Sequence, residues 1–281
     1  MHSGPGVYAI SDLHVGYPEN RLLLSDLKPR HPQDWLILAG DVGELTPDIE
    51  ATFELLAGRF EKVIWAPGNH ELWTHPSDPV QLRGEQRYRH LVKLGRSLGV
   101  LTPEDEYPIW TGAGGPVVIA PLFVLYDYSF HPPGTTTKAA GLARAYETGI
   151  VCSDESLLHP DPYPSREAWC AARVELTEQR LDALDPRLPV VLVNHYPLVR
   201  EPTRVLTYPE FAQWCGTVRT ARWHVRYRAA CVVYGHLHIP RTTWYDGVRF
   251  DEVSQGYPRE WKRFGGPRGM RQILPPPAGN A

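Results

Sequence analysis

The chain has 281 residues and a formal net charge of −3, with 22% charged and 42% hydrophobic residues, a balance that fits a soluble globular protein and leaves no basic footprint for nucleic acid. The opening MHSGPGVYAISDLH has no basic region followed by an apolar stretch, and no window reaches the roughly eighteen apolar residues of a membrane span, so the expected location is the cytoplasm, with no membrane partner. Cys152, Cys170, Cys215 and Cys231 lack CxxC spacing, which argues for reduced thiols and against a zinc finger or a disulfide framework.

In chain order, VYAISDLH (7–14), WLILAGDVGE (35–44) and VIWAPGNHE (63–71) are short apolar runs that read as strands and end in polar residues able to bind metal. Between the second and third, PDIEATFELLAGRF has helical patterning, with Thr46 as the expected N-cap. Residues 126–165, rich in Tyr, Pro, Gly and Thr, read as a long irregular excursion, a kind of loop that is usually functional or disordered. A second helix is expected over SREAWCAARVELTEQRLDAL, starting at Ser165. PVVLVNHYP (189–197) repeats the strand pattern, as does AACVVYGHLHIP (229–240), where Gly235 marks a tight turn and His236 and His238, two apart, can face one object. TTWYDGVRFDEV carries an Asp-Gly hairpin signal. Strands alternating with helices predict a layered α/β domain over 1–270, and residues 271–281, closing with PPPAGNA, are expected to be a flexible tail.

The strand-end residues are Asp12, His14, Asp41, Asn69, His70, His195, His236 and His238. In open α/β architectures functional residues gather beyond the carboxyl ends of the strands, so these segments can meet at one site. Two carboxylates, an amide oxygen and several imidazoles, with no thiolate, suit manganese, iron or zinc better than calcium. The set exceeds what one ion needs, which points to a pair of divalent ions with Asp41 as the natural bridge. Two metals side by side are suited to clamping a phosphoryl group.

DLH, GDVGE, GNHE, NHYP and GHLH, in that order, resemble the five motifs of the calcineurin-like metallophosphoesterase family. The resemblance implies a four-layer α/β/β/α sandwich and a metal-dependent phosphodiesterase. It implies that Asp12, His14, Asp41 and His238 hold one ion, and that Asp41, Asn69, His195 and His236 hold the other. His70 matches the family's histidine that contacts the phosphate and protonates the leaving oxygen, so His70 and Asp41 are the expected catalytic residues. Glu44 stands where the second motif commonly closes with Asp, a change expected to touch only groups behind the ligands.

Outside the motifs, QDWLILAGD, LYDYSFHPPG, YPSREAWC and PRTTWYDGVRF resemble family members that remove 4'-phosphopantetheine from the serine of holo acyl carrier proteins. The implied substrate and partner is therefore an acyl carrier protein, the alternative being a cyclic nucleotide or another small phosphodiester. Residues 196–250 hold eight arginines against Glu201, Glu210 and Asp246, a local positive excess able to steer an acidic partner. Arg219, Arg222, Arg226 and Arg228 are the candidate substrate-binding residues. Tyr126, Tyr128, Phe130, Trp214 and Trp223 can line a groove for the pantetheine arm, although large aromatics more often serve the core.

Overall fold

The structure is a computed structural model that describes residues 4–277. Its strands are β1 (Val7–Ile10), β2 (Trp35–Leu38), β3 (Lys62–Trp65), β4 (Val100–Leu101), β5 (Ile109–Trp110), β6 (Val117–Pro121), β7 (Val190–Val193), β8 (Ala229–Tyr234), β9 (Arg241–Tyr245), β10 (Val248–Glu252) and β11 (Arg271–Leu274). The α-helices are α1 (Pro18–Leu23), α2 (Thr46–Ala57), α3 (Asn69–Leu72), α4 (Gly84–Ser97), α5 (Lys138–Glu147), α6 (Asp154–Leu157), α7 (Arg166–Asp182), α8 (Trp223–Arg226) and α9 (Pro258–Arg263).

The strands form two sheets, ordered β11-β1-β2-β3-β4 and β5-β6-β7-β8-β10-β9, parallel except at the edge strands β11, β5 and β9. Alternate residues explain why the strand runs are apolar throughout. Ala9, Ile37, Ile64, Ile119, Val191 and Val233 pack between the sheets, whereas their neighbours Ile10, Leu38, Trp65, Ala120, Leu192 and Val232 face outward. The outward sets lie under Phe53 of α2, Leu91 of α4 and Trp169 of α7, which bury the other face of each strand. The result is the four-layer α/β/β/α sandwich that the motifs implied.

The parallel strands of both sheets deliver their carboxyl ends to one rim, where backbone hydrogen bonds tie them together. Asp12 N donates to Gly40 O (2.9 Å), Gly235 N to His195 O (2.9 Å) and Gln255 N to Ser11 O (2.8 Å). No helix among the described residues is long and apolar enough to cross a membrane, and the four cysteines are free.

Several local expectations hold. Ser165 caps α7 by accepting from Ala168 N (3.1 Å), and β9 and β10 form the Asp-Gly hairpin, with Asp246 and Gly247 both at positive φ. Four others need correction. Thr46 is the first helical residue of α2 and not its cap, because its N–H and hydroxyl both donate to Asp78 Oδ2 at 2.9 Å. The excursion 126–165 is not irregular throughout, since it holds α5 and α6. Residues 271–274, expected in the tail, form β11 against β1, with Ile273 buried between the sheets; 278–281 lie outside the described residues. Tyr126, Tyr128, Phe130, Trp214 and Trp223 are all buried and serve the core, not a groove.

Candidate metal centre

The sequence places each candidate ligand just past the end of a strand, and the backbone there takes an uncommon form. Asp12, His14, Asp41, His236 and His238 all have φ between 42° and 69°, the left-handed region, which costs a non-glycine residue about 1–2 kcal/mol. Five such residues around one point mark a site where the surrounding structure enforces the geometry. Gly235 is required for clearance, since a Cβ there would collide with Ser11 and Asp12. The turn expected at Gly235 is made by the left-handed His236. This turn also separates the two histidines, so that His236 joins His195 (ring centroids 5.1 Å) and His238 joins His14 (5.2 Å).

The ligand atoms form adjoining clusters. Asp12, His14 and His238 offer atoms within 4.8 Å of one another, as do Asp41, His195 and His236. In the first, His238 Nε2 lies 3.0 Å from Asp12 Oδ1 and 3.3 Å from His14 Nε2. In the second, His195 Nε2 lies 3.3 Å from Asp41 Oδ2 and 3.2 Å from Asn69 Oδ1. Asp41 Oδ2 is also 3.9 Å from His14 Nε2 and 3.7 Å from His70 Nε2, so this oxygen stands between the two groups. His70 belongs by distance to a third cluster with His14 and Asp41.

The donor set fits a pair of cations. His236 Nε2 is buried without a hydrogen-bond partner, a costly state unless something else fills the position. Burial, then the charge of His195, pushes the His236 pKa down to about 3, and burial with His70 lowers that of His14, leaving both as neutral imidazoles able to ligate. Burial opposes charge on His195 and His238, but Asp41 pushes the first up to about 10 and Asp12 raises the second. Asp12 and Asp41 are held well below the usual carboxylate range: burial opposes their charge, and His238 and His195 respectively outweigh it. Positive charge is therefore demanded at the centre, and bound divalent ions would supply it in place of the imidazole protons.

A further layer orients these groups. Glu260 Oε2 is 2.7 Å from His238 Nδ1, Ala39 O is 2.9 Å from His195 Nδ1, and Glu44 Oε1 is 3.3 Å from His14 Nδ1 and 2.9 Å from His70 Nδ1. Each ring is thus held through the nitrogen that faces away from the centre. Asn69 Nδ2 donates to Asp154 Oδ1 (2.9 Å), which turns the amide oxygen toward His195. Glu71 accepts from the backbone N–H groups of Asp41, Val42 and Gly68 and from Trp65 Nε1. Burial and then Asp41 push the Glu71 pKa up to about 7, while four donors favour its charged form. His70 is clasped between Trp73, at a ring-centroid distance of 3.7 Å, and Tyr257, whose hydroxyl lies 3.5 Å from Nε2. Burial opposes charge on His70, but Asp41 and the Glu44 hydrogen bond outweigh it and raise its pKa.

Sequence reading missed Asp154, Glu260, Tyr257 and the double role of Glu44. Asp154 lies in the excursion and Glu260 well beyond the last motif, so no local spacing flagged either; only Glu44 lay within a motif.

Of the candidate arginines, Arg222, Arg226 and Arg228 stand at the amino end of β8, about 20 Å of strand from the metal centre. Arg222 pairs with Asp246 (3.4 Å), and Arg226 pairs with Glu178 (3.1 Å) and Asp182 (2.9 Å). Arg219 is exposed on a short 3-10 turn, Val218–Thr220. The structure does not bring this set to the site. A cavity of about 720 Å³ opens over the centre instead, with Asp41, Asn69, His70, His236 and His238 on its floor.

The sequence profile of the calcineurin-like phosphoesterase family matches residues 6–240. The chain is 57% identical over 273 residues to the acyl-carrier-protein phosphodiesterase PptH of Mycobacterium tuberculosis, an alignment that covers 97% of this chain and 84% of that protein. The crystal structure of phosphopantetheinyl hydrolase (PptH) from the same organism superposes with a TM-score of 0.97 at 55% sequence identity, covering 100% of both chains.

Proposed function

The chain belongs to the calcineurin-like phosphoesterase family, and from that premise we propose that it is a metal-dependent phosphodiesterase that releases 4'-phosphopantetheine from the serine of holo acyl carrier protein, leaving the apo form. The observation that carries this reading is the convergence of the adjoining Asp and His clusters under one cavity whose floor presents Asp41, Asn69, His70, His236 and His238. The activity named for the 57% identical relative supplies the substrate.

In this reading Asp12, His14, Asp41 and His238 hold one ion, and Asp41, Asn69, His195 and His236 hold the other. Manganese or iron suits the mixed oxygen and imidazole set, with zinc as a further candidate. When bound, such ions neutralise phosphoryl oxygens and acidify water. His70 donates through Nδ1 to Glu44, so its protonated ring presents Nε2–H to the cavity. As the oxygen of a water that has released one proton to solvent adds to phosphorus and the bond from phosphorus to the serine oxygen breaks, the electron pair stays on the serine oxygen and Nε2 delivers its proton there. This general-acid step contributes about 10² to 10⁴ in rate. Four free cysteines support a reducing, cytoplasmic setting.

The test is mass spectrometry of a holo acyl carrier protein incubated with the enzyme and manganese. Loss of the phosphopantetheine mass is expected. An intact carrier beside a hydrolysed aryl phosphodiester would move the activity to a small phosphodiester such as a cyclic nucleotide.

A further inference from the structure

The cavity has two unlike walls. On the His236 side, Phe211 stacks on the His236 ring (5.6 Å, 22°), and beyond it Leu206, Tyr208 and Val151 continue an apolar surface. Val151 is 80% exposed and Tyr208 60%, a costly display for apolar groups that have no protein partner here. On the His238 side stands α9, with Tyr257 as its N-cap, Arg259 and Arg263 lining the cavity, and the exposed Phe264 as the one large apolar group at its end. These arginines are four residues apart on one helical face. Among the described residues neither has a carboxylate within 4.0 Å: their neighbour Glu260 is engaged by His238, and Arg259 lies over the Tyr257 ring, 5.4 Å from its centroid. This contrasts with Arg222 and Arg226, which face acids within the chain.

His70 sets the direction. Its Nε2 lies 3.5 Å from the Tyr257 hydroxyl, at the start of α9. The oxygen it protonates must come within hydrogen-bond reach of the same nitrogen, so the leaving serine belongs on the α9 side and the group that keeps the phosphorus belongs on the other.

We propose that the cleft fixes the orientation of its substrate, with an acidic face of the carrier protein docked on Arg259 and Arg263 and the pantetheine arm laid along Leu206, Tyr208 and Val151. This rests on the proposed carrier-protein activity. It explains why two arginines without an ion-pair partner and an exposed apolar strip border the same metal centre: one receives a charged macromolecular surface, the other a flexible arm. Charges at the rim of an interface act mainly on association and on its salt dependence, so the arginines should work through KM and not kcat.

The test compares two substrates that carry the same scissile bond, the holo carrier protein and the phosphopantetheine diester of a blocked serine. For R259E/R263E, the ratio of kcat/KM on carrier to that on the small diester should fall by about tenfold or more, through KM, with a shallower salt dependence, while R259K/R263K stays close to the wild type. For Val151→Asp combined with Tyr208→Asp, both substrates should suffer together, because both carry the arm. A wild-type enzyme that cleaves the carrier while R259E/R263E keeps the wild-type ratio overturns the docking alone. A wild-type enzyme that leaves the carrier intact overturns the activity, and the docking with it.

Discussion

The floor of the cleft and its mouth are built in opposite ways. At and beneath the floor, the proposed ligands Asp12, His14, Asp41 and His195 are buried, each follows a parallel strand, and the rings are held from behind by Glu44 or Ala39 O. At the mouth, Val151, Tyr208, Arg259 and Arg263 are exposed and come from segments with no motif. The difference teaches where chemistry and selectivity reside. Phosphoryl transfer needs charges fixed at sub-ångström tolerance, which strand ends supply; partner choice needs only a complementary surface, which loops and a short helix supply.

The largest effects should follow from breaking the floor. Asp41→Asn removes charge from the residue that stands between both clusters, and turnover of any phosphodiester should fall by at least about 10³, with loss of bound metal read by elemental analysis. His70→Ala should lower kcat by about 10² to 10⁴ while metal content is kept, because the role proposed for His70 is on the leaving oxygen and not on the ions. A variant that turned over at the wild-type rate would remove the catalytic role from either residue.

Smaller effects probe the layer behind it. Asp154→Ala leaves Asn69 Nδ2 without its acceptor and frees the amide to rotate. Manganese titration by calorimetry should show one of two sites weakened by about 10- to 100-fold. Two sites of unaltered affinity would make Asp154 a purely structural residue. For Glu44→Gln the sign follows from His70. Its raised pKa keeps the acid protonated to higher pH than an ordinary histidine, and Glu44 contributes to that rise. The neutral amide should therefore lower it, and the alkaline limb of the kcat profile should move to lower pH. A limb that stays in place, or moves up, would contradict the assigned contact.

The smallest effect concerns the arginines on the far side. Neutralising Arg219, Arg222, Arg226 and Arg228 together should change kcat/KM on the carrier by less than about twofold, since three of them stand at the opposite end of β8 and two face acids within the chain. A tenfold loss would return the docking surface to that face.

What was legible in the sequence follows the same division. The motif residues of the floor are local in sequence, and the parallel sheets need only bring strand ends to one rim for all of them to meet. Ser165 and the Asp246-Gly247 turn are local signals too, and they hold. Readings failed where a distant partner decided. Thr46 is claimed by Asp78, the arginine excess at 219–228 is neutralised partly by Glu178 and Asp182 of α7, and Arg271–Leu274, hidden in a proline-rich ending, is a strand only because β1 offers it an edge. Glu260 and Asp154 carry no spacing signal because they act on histidine and asparagine side chains far away in the chain.

The most direct measurement is cleavage of holo acyl carrier protein in heavy-oxygen water, with mass spectra of both products. The account predicts that the label enters the phosphate of the released phosphopantetheine and that the carrier serine regains its hydroxyl without label. Label on the serine, or a dehydrated residue in its place, would show that the bond to phosphorus survives, contradicting attack at phosphorus with His70 protonating the serine oxygen.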